Sequence, residues 1–369
     1  MIFNRRSEAP GRPESGEDRS LLDTAPHRSH RGRTVLATSL LGACAALLPL
    51  APDPPLHAAP LLLATPLLAT PVQATAAAAE DEHENDRRLQ WASTCDDWDE
   101  WDKPAAPFRV HGNSYYVGTC GIGAILIAGE TGHVLIDSGT EAGADVVLAN
   151  IRALGFDPAD IVLLAASHEH FDHVGGMAKL QAASGAPLFV GNAAVEVLRT
   201  GQVGADDPQA SQLGPMTPVA EVSAALPDGV HLIGQGALDQ ATQQDLAIIA
   251  LTPLATPGHT PGALSWQWQS CEGPGTCKTI VYGDSLSPVS SEGYRFSDHP
   301  GYLAAYREGI DRIAAQTCDI LLTPHPSASE MRAKLLAGDL SSGMDCKQYA
   351  ASIAERLDAR LAEEEEAAR

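Results

Sequence analysis

The stretch SHEHFDH, residues 167–173, places three histidines and two carboxylates directly after an apolar run. The run, IVLLAA (161–166), has the length and composition of a buried β-strand. A glycine pair at 175–176 follows the cluster, and a helix is predicted after it. The sequence therefore predicts a buried strand whose carboxyl end carries metal-binding side chains.

The spacing of this cluster suits two metal ions rather than one. Residues two apart in an extended segment face the same side, so His168 and His170 can present two imidazoles to one ion. Asp172 and His173, after the turn, can reach a second ion close by. Imidazole nitrogen and carboxylate oxygen are good zinc ligands, and an open coordination position keeps a water for catalysis. Each zinc still needs one more imidazole.

Two later histidines lie at suitable places. His259 lies in ATPGHTPGALSW, soon after the predicted strand LAIIALTP, and His325 lies in LLTPHPSAS, right after CDILL. Nearby prolines are typical of irregular loops at strand ends. Two zinc ions roughly 3.5–4 Å apart could then share a hydroxide nucleophile with a pKa of about 7. We expect no metal at the remaining histidines of the mature part, which are His83, His111, His133, His231 and His299.

These motifs carry a family resemblance. SHEHFDH (167–173), PGHTPG (257–262) and the late PH (324–325) resemble the H-x-H-x-D-H signature of the metallo-β-lactamase fold superfamily. The resemblance covers about residues 91–350. It implies an α/β fold, a four-layer αβ/βα sandwich of two mixed β-sheets flanked by helices. It also implies a dinuclear zinc site at one edge of the sandwich.

Two longer segments are similar to the subclass-three metallo-β-lactamases. They are PFRVHGNSYYVGTCGIGAILIAGETGHVLIDSG (107–139) and VYGDSLSPVSSEGYRFSDHP (281–300). In that branch three histidines hold the first zinc, and an aspartate with two histidines holds the second. The resemblance therefore implies a first zinc on His168, His170 and His259, and a second on Asp172, His173 and His325.

The resemblance also implies roles around GDSLS. Ser285 stands where subclass-one enzymes have a zinc-binding cysteine, and Ser287 would help to bind the substrate carboxylate. Asp284 is open to two interpretations. The similar GDxLF aspartate of glyoxalase-two-like hydrolases bridges the metals, whereas in subclass three it is not a ligand. We expect Asp137 to orient the site without binding metal, and Glu169 to be a solvated loop carboxylate.

The implied function is hydrolysis of the β-lactam amide of penicillins, cephalosporins and carbapenems by a zinc-bound hydroxide. Asp172 would hold the second of two zinc ions and orient the nucleophile or pass a proton. One alternative is a hydrolase of the same fold that acts on a thioester or a lactone. Another is a metal-storing module without catalysis.

Residues 1–79 differ in kind from the rest. RSHRGRTVLATSLLGACAALLPL (28–50) has a basic start and an apolar stretch that is short for a membrane span, which is typical of a secretory signal. LLGAC, ending at Cys44, resembles a bacterial lipobox, although the apolar run continues and favours later cleavage. An Ala/Pro/Leu linker follows. We therefore expect a single catalytic domain over 80–369, exported to the periplasm or secreted, with lipidation of Cys44 as an alternative.

Charge bears on the partners. The chain has 24 Lys+Arg and 47 Asp+Glu, a formal net charge of −23. A surface this negative repels phosphate backbones and anionic lipids, so we expect no nucleic-acid partner. The expected partner is a small-molecule β-lactam, and we expect a monomer without a membrane span. The run EEEE (363–366) is interpreted as a solvated tail or helix end.

The cysteines fit an exported protein. There are seven, and without Cys44 an even number remains, which suggests disulfides. Several pairings are possible from the sequence, and no C-x-x-C pair is present to favour zinc thiolates. Some exported members of the resembled branch share three sequential pairs. Pairing of sequence neighbours is the simplest arrangement: Cys95–Cys120, Cys271–Cys277 and Cys318–Cys346.

From about residue 105, short apolar runs alternate with segments of helical spacing. Such an alternation predicts helices that cover sheets. A polar stretch dotted with glycine and proline, 201–227, is expected to be a long loop. A terminal helix over about 346–366 is expected to close the chain.

Overall fold

The structure is a computed structural model that describes residues 71–225, 229, 231–233, 249–273 and 275–369. The expected export signal, Cys44 and most of the expected linker lie outside the described residues. Within the described part of the chain, no helix is both long enough and apolar enough to cross a lipid bilayer.

One sheet has seven strands, in the spatial order of the chain from β1 to β7. β1 to β4 pair antiparallel, and β4 to β7 pair parallel. The strands are β1 (Phe108–His111), β2 (Ser114–Tyr116), β3 (Ile125–Ile127), β4 (His133–Ile136), β5 (Ile161–Ala165), β6 (Leu188–Val190) and β7 (Val222–Ala224).

The other sheet has five strands in the order β12-β11-β10-β9-β8. Its strands pair antiparallel except for β11 and β12, which pair parallel. The strands are β8 (His231–Ile233), β9 (Ile249–Ala255), β10 (Leu264–Cys271), β11 (Cys277–Tyr282) and β12 (Ile320–Leu322).

Helices connect and cover these strands. The longest are the first and the last, and three short 3-10 turns complete the described elements. The helices are α1 (Pro71–Thr94), α2 (Gly143–Ala153), α3 (Phe171–Val174), α4 (Met177–Ser184), α5 (Ala194–Thr200), α6 (Pro300–Ala314), α7 (Met331–Leu336) and α8 (Cys346–Ala367).

Side-chain alternation along the strands produces the layers. In β3, Ile125 and Ile127 enter the core between the two sheets, whereas Leu126 packs on the opposite face with α2 and α4. In β11, Ile280 enters the same central core, and Val281 packs outward with α6 and α8. Successive side chains of a strand point to opposite faces, so strands buried on both faces need apolar residues throughout. The result is the four-layer α/β sandwich of two mixed sheets that the sequence predicted.

The amino-terminal helix was not expected. α1 begins at Pro71, inside the segment interpreted as a linker without helical spacing. Proline at the first position and the alanines that follow favour a helix even without an apolar stripe. Its last turns are well packed, since Trp91 is 1% exposed and Arg332 Nε donates to the carbonyl oxygens of Ala92 and Cys95.

The three disulfides join Cys95 to Cys120, Cys271 to Cys277 and Cys318 to Cys346. The predicted pairing of sequence neighbours is therefore confirmed. The second bridge closes the β10–β11 hairpin, where Cys271 and Cys277 are partners in the strand register. Each bridge stabilises the fold by roughly 2–4 kcal/mol, by restricting the unfolded chain.

Two interpretations of polar stretches need correction. The expected loop 201–227 includes β7, a short strand that pairs parallel with β6. The EEEE run does lie at a helix end, but Glu364 is only 5% exposed and is not solvated. Its carboxylate accepts hydrogen bonds from the backbone nitrogens of Phe296 and Ser297. Charge composition gave no sign of this contact, because it joins residues far apart in sequence.

Candidate metal centre

Three loops at strand ends carry the expected ligands. His168 and His170 follow β5, His259 follows β9, and His325 follows β12. His170 is the N-cap of α3, which places Asp172 and His173 in the first turn of that helix. The fold therefore brings all six expected metal ligands to one edge of the sandwich, where they form two adjoining groups.

The first group consists of His168, His170 and His259. Each is at most 7% exposed, and one ligand atom of each lies within 4.8 Å of the others. The ring centroids lie between 4.8 and 5.0 Å apart. This arrangement can hold one metal ion with three imidazole nitrogens.

Each imidazole of the first group has one ring nitrogen bound by a protein group. Nδ1 of His168 lies 2.8 Å from Asp284 Oδ1, and Nε2 of His170 lies 3.0 Å from Asp207 Oδ2. Nδ1 of His259 lies 2.9 Å from the carbonyl oxygen of Ser287. An acceptor at one ring nitrogen can fix the tautomer of an imidazole, so that the other nitrogen carries the lone pair.

The second group is centred on Asp172. Its Oδ2 lies 3.0 Å from Nε2 of His173 and 3.5 Å from Nε2 of His325. The rings of His173 and His325 are perpendicular, with centroids 4.9 Å apart. Asp172 and His173 also form a possible metal-binding group with His168.

The hydrogen bonding of the buried ring nitrogens indicates whether a metal ion would fit between these histidines. Nε2 of His168 and Nδ1 of His173 are buried and lack a hydrogen-bond partner, and Nε2 of His173 contacts the carboxylate of Asp172, itself an expected ligand. Polar atoms buried in this way cost free energy unless something binds them. A cation at these nitrogens would remove that cost. A donor set of imidazole nitrogens and one carboxylate is one that zinc prefers.

The protonation states also suit a metal. Burial lowers the pKa of His259 to about 3 and that of His325 to about 4, so both rings are neutral at pH 7. Burial raises the pKa of Asp172, but His173 and His325 outweigh it and hold the pKa well below its usual value. Burial lowers the pKa of His173, but Asp172 outweighs it and raises the pKa overall. A metal would compete with the proton of His173.

Asp284 is fully buried, and protein groups engage both of its oxygens. Oδ1 contacts Nδ1 of His168, and Oδ2 accepts a hydrogen bond from the backbone nitrogen of Leu286. This geometry makes Asp284 a partner of His168, an expected ligand, and places a protein group at each of its two oxygens. It favours the interpretation in which this aspartate is not a ligand.

Asp137 holds the start of the ligand loop. It follows β4 with a φ of 62°, in the left-handed region that aspartate tolerates better than most residues. Its carboxylate accepts hydrogen bonds from Ser167 N at 2.7 Å, Ser167 Oγ at 2.7 Å and Tyr282 OH at 2.9 Å. Its Oδ2 lies 3.8 Å from Nδ1 of His173. These contacts agree with the expected orienting role.

Glu169 was wrongly expected to be solvated. It is 5% exposed, and its carboxylate accepts hydrogen bonds from Thr260 Oγ1 at 2.6 Å and from the backbone nitrogen of Gly262 at 2.8 Å. A residue between two ligands of an extended segment faces away from them, here towards the loop of His259. A Cβ on Gly262 would lie 2.8 Å from Glu169 Oε2, so glycine permits this close approach. Glu169 therefore joins two ligand-bearing loops.

Asp207 and Gln209, from the expected loop, also reach the site. Asp207 contacts His170, and Nε2 of Gln209 lies 3.5 Å from Nε2 of His259. The sequence around them, ADDPQ, has only the composition of a loop. No sequence signal indicated their position.

The two predicted substrate-binding serines lie beside the histidines. The Oγ of Ser285 is buried and lacks a hydrogen-bond partner, and the Oγ of Ser287 lies 3.1 Å from Nδ1 of His259. The hydroxyl of Tyr349 lies 2.7 Å from the carbonyl oxygen of Asp284 and 2.8 Å from that of Ser285, and its single hydrogen, shared between them, fixes the backbone on both sides of the Asp284–Ser285 peptide.

Exposed aromatic rings border the second group. Trp98 and Trp101 both lie with ring centroids 6.2 Å from that of His325, and Trp101 lies 5.6 Å from Phe171. These three side chains are 66%, 42% and 40% exposed, respectively. The rings form an apolar wall at the mouth of the site.

Comparison with known proteins agrees with this geometry. Residues 117–325 match the family described as the metallo-beta-lactamase superfamily. The chain belongs to this superfamily. Its similar solved structures are those of metallo-β-lactamases, so the protein is an enzyme of this superfamily with the expected fold.

Three solved structures illustrate the likeness. The MIM-2 metallo-beta-lactamase is 54% identical, with 75% of this chain and 98% of that chain covered and a TM-score of 0.66. MIM-1 from Novosphingobium pentaromativorans is 42% identical, with 76% and 99% covered and a TM-score of 0.68. MEM-A1, a subclass B3 metallo-beta-lactamase isolated from a soil metagenome library, is 38% identical, with 72% and 98% covered and a TM-score of 0.65.

Replacement of Glu169 by alanine is expected to destabilise the protein by about 1–3 kcal/mol, because the Thr260 hydroxyl and the Gly262 N–H lose their acceptor. Glu169→Gln keeps an acceptor for the Gly262 N–H and should retain most of the stability. Denaturant unfolding measures both, with Glu141→Ala, at an exposed glutamate, as the control. Equal stability of Glu169→Ala and Glu141→Ala would show that this contact contributes nothing.

Proposed function

We propose that this protein hydrolyses the amide bond of β-lactam antibiotics with two bound zinc ions. The observation that carries the proposal is the pair of adjoining ligand groups, in which Nε2 of His168 and Nδ1 of His173 are buried without a hydrogen bond. The similarity to solved metallo-β-lactamases supports the substrate class. Penicillins, cephalosporins and carbapenems are the proposed substrates.

The proposed ligand sets follow the two groups. Bound zinc would lower the pKa of a water to about 7 and polarise the lactam carbonyl. Burial keeps the rings of His259 and His325 neutral, and the acceptors behind the rings of the first group orient those rings. The first zinc is assigned to His168, His170 and His259, and the second to Asp172, His173 and His325.

Asp172 is proposed to act on a proton as well as to bind metal. Its pKa lies well below its usual value, because His173 and His325 outweigh the effect of its burial, so the carboxylate is ionised at pH 7. An ionised carboxylate in the second ligand group can accept a hydrogen bond from the attacking water and orient it. It can then pass that proton towards the departing lactam nitrogen.

Ser285 and Ser287 are proposed to bind the carboxylate next to the lactam nitrogen. The Oγ of Ser285 lacks an internal partner, so its hydrogen can be donated to a ligand. Ser287 lies against His259, so a substrate held by its hydroxyl would lie beside the first ligand group. Neither serine is placed as a nucleophile, because the proposed attack comes from water.

The alternative of thioester or lactone hydrolysis would be favoured by an Asp284 that bridges the metals. The contacts of Asp284 with His168 and Leu286 argue against it. The alternative of metal storage requires a closed ligand shell. The apolar wall of Trp98, Trp101 and Phe171 suits an organic ligand and therefore argues against metal storage.

We further propose that the catalytic domain spans 80–369 and acts as a monomer after export to the periplasm or secretion. The three disulfides support export, because such bridges persist in oxidising compartments. Removal of the amino-terminal signal would leave either an ordinary amino terminus or, in the alternative, a lipidated Cys44.

Periplasmic extract from a Gram-negative host that expresses the full chain should hydrolyse nitrocefin and imipenem once zinc is supplied. Removal of zinc by a chelator should abolish turnover, and added zinc should restore it. A glutathione thioester and an acyl lactone are tested as alternative substrates. Sequencing of the purified protein locates the mature amino terminus. Gel filtration shows whether the protein is a monomer. Turnover of the thioester or lactone without lactam turnover would contradict the proposed substrate class, and activity confined to the cytosol would contradict export.

Replacement of Asp172 by alanine should reduce the zinc content from two ions to one per chain and lower kcat by at least about 100-fold, because ligand and proton acceptor are lost together. Metal analysis after gel filtration and steady-state kinetics measure the two effects. His83→Ala, at an exposed histidine outside the site, is the matched control. An Asp172→Ala protein that keeps both zinc ions would refute the ligand assignment.

Replacement of Ser285 by alanine should raise KM about tenfold with little change in kcat, because a hydrogen bond to a charged group contributes about 1.5 kcal/mol or more. Ser223→Ala, at an exposed serine of β7, provides the control. A lactam whose carboxylate is esterified should show no difference between Ser285→Ala and the wild type. The same rise in KM for acid and ester would exclude the proposed contact.

A further inference from the structure

A carboxylate without a role in the proposed reaction lies against a metal-binding imidazole. Asp207 is 4% exposed, and its Oδ2 lies 3.0 Å from Nε2 of His170. Its Oδ1 accepts a hydrogen bond of 2.7 Å from the backbone nitrogen of Gln209. Both oxygens of this buried carboxylate are therefore in use as acceptors.

We propose that Asp207 is a positioning residue for the first metal ion. Its carboxylate holds the imidazole of His170 so that Nδ1 of the ring is turned towards the metal. This inference rests on the proposed role of His170 as a ligand. A neutral imidazole carries a proton on one nitrogen only. A carboxylate that accepts the proton of Nε2 leaves the lone pair on Nδ1, and its negative charge strengthens that nitrogen as a donor to metal.

The residues next to Asp207 extend this contact to the rest of the site. The carbonyl oxygen of Pro208 accepts a hydrogen bond of 2.8 Å from the backbone nitrogen of Ser291. The side chain of Gln209 approaches His259, as described above. Segment 207–209 therefore contacts two ligands of the first group and the loop that follows Ser287.

The origin of Asp207 in the chain distinguishes it from the other acceptors. Asp284 and Ser287, which contact His168 and His259, both follow β11 within one short segment. Asp207 comes from the stretch between α5 and β7. Loss of its contact should therefore weaken the first metal site and release segment 207–209, while the acceptors after β11 stay in place.

Asparagine at position 207 tests the role without changing the volume of the side chain. Its amide oxygen can accept from Gln209 or from His170, but its NH₂ group then opposes the other donor. The zinc affinity of the first site should fall by about 10- to 100-fold, while that of the second stays unchanged. Competition with a chromophoric chelator on the purified, zinc-loaded protein resolves the two steps. Asp206→Asn, at the exposed neighbouring aspartate, removes the same charge and should change neither step.

A second readout reports the hydrogen bond itself. In cobalt-substituted protein, the Nε2 proton of His170 should give a paramagnetically shifted NMR signal that exchanges slowly with water, because Asp207 and burial protect it. Asp207→Asn should lose this signal or speed its exchange, and Asp206→Asn should keep it.

Two results would overturn the inference. One is an Asp207→Asn protein that binds the first zinc as tightly as the wild type. The other is an equal weakening of both zinc ions with a lower melting temperature, which would indicate a general loss of structure. No substrate is present in these measurements. A wild-type protein that binds zinc tightly but hydrolyses no lactam therefore contradicts the proposed function and leaves the role of Asp207 standing.

Discussion

The site depends on the burial of several imidazoles in contact with one another. His168, His170 and His259 have ring centroids between 4.8 and 5.0 Å apart, so their protonated forms would repel strongly where water is scarce. Burial lowers the pKa of His259 to about 3 and that of His168 well below its usual value. Each neutral ring presents a lone pair, and a shared cation is the natural partner for lone pairs that point at one place.

The direction of those lone pairs depends on contacts between residues that are far apart in the sequence. The acceptor behind His168 is Asp284, and the acceptor behind His170 is Asp207. Strands from both sheets end at the same edge of the sandwich, so loops that are far apart in the chain meet there. Glu169 and Asp137 add hydrogen bonds between these loops and to the strand ends. The sheets therefore supply rigid anchors, and the buried carboxylates set the direction of the rings.

The residues of the two groups could be predicted to come together because they lie in short motifs at strand ends. The spacing of SHEHFDH predicted that its histidines belong to two groups. The alternation of short apolar runs with segments of helical spacing predicted sheets covered by helices. Among the residues that orient the ligands, Asp137 was expected, whereas Glu169 and Asp207 could not be predicted, because each acts through a contact that the local sequence does not encode. Glu169 resembled a solvated loop residue, and Asp207 lay in a stretch with only loop composition. Helix α1 was missed for another reason, since its early turns lack an apolar stripe.

Charge balance around the ligands gives a further reason to expect a cation. Burial raises the pKa values of Asp137 and Asp284, so both carboxylates are costly to ionise. In the part of the chain that the structure describes, histidines are the ion-pair partners of four buried carboxylates: Asp137, Asp172, Asp207 and Asp284. Burial holds His168, His259 and His325 neutral, so these rings supply no positive charge. Metal ions at the two ligand groups would place positive charge where these carboxylates are concentrated.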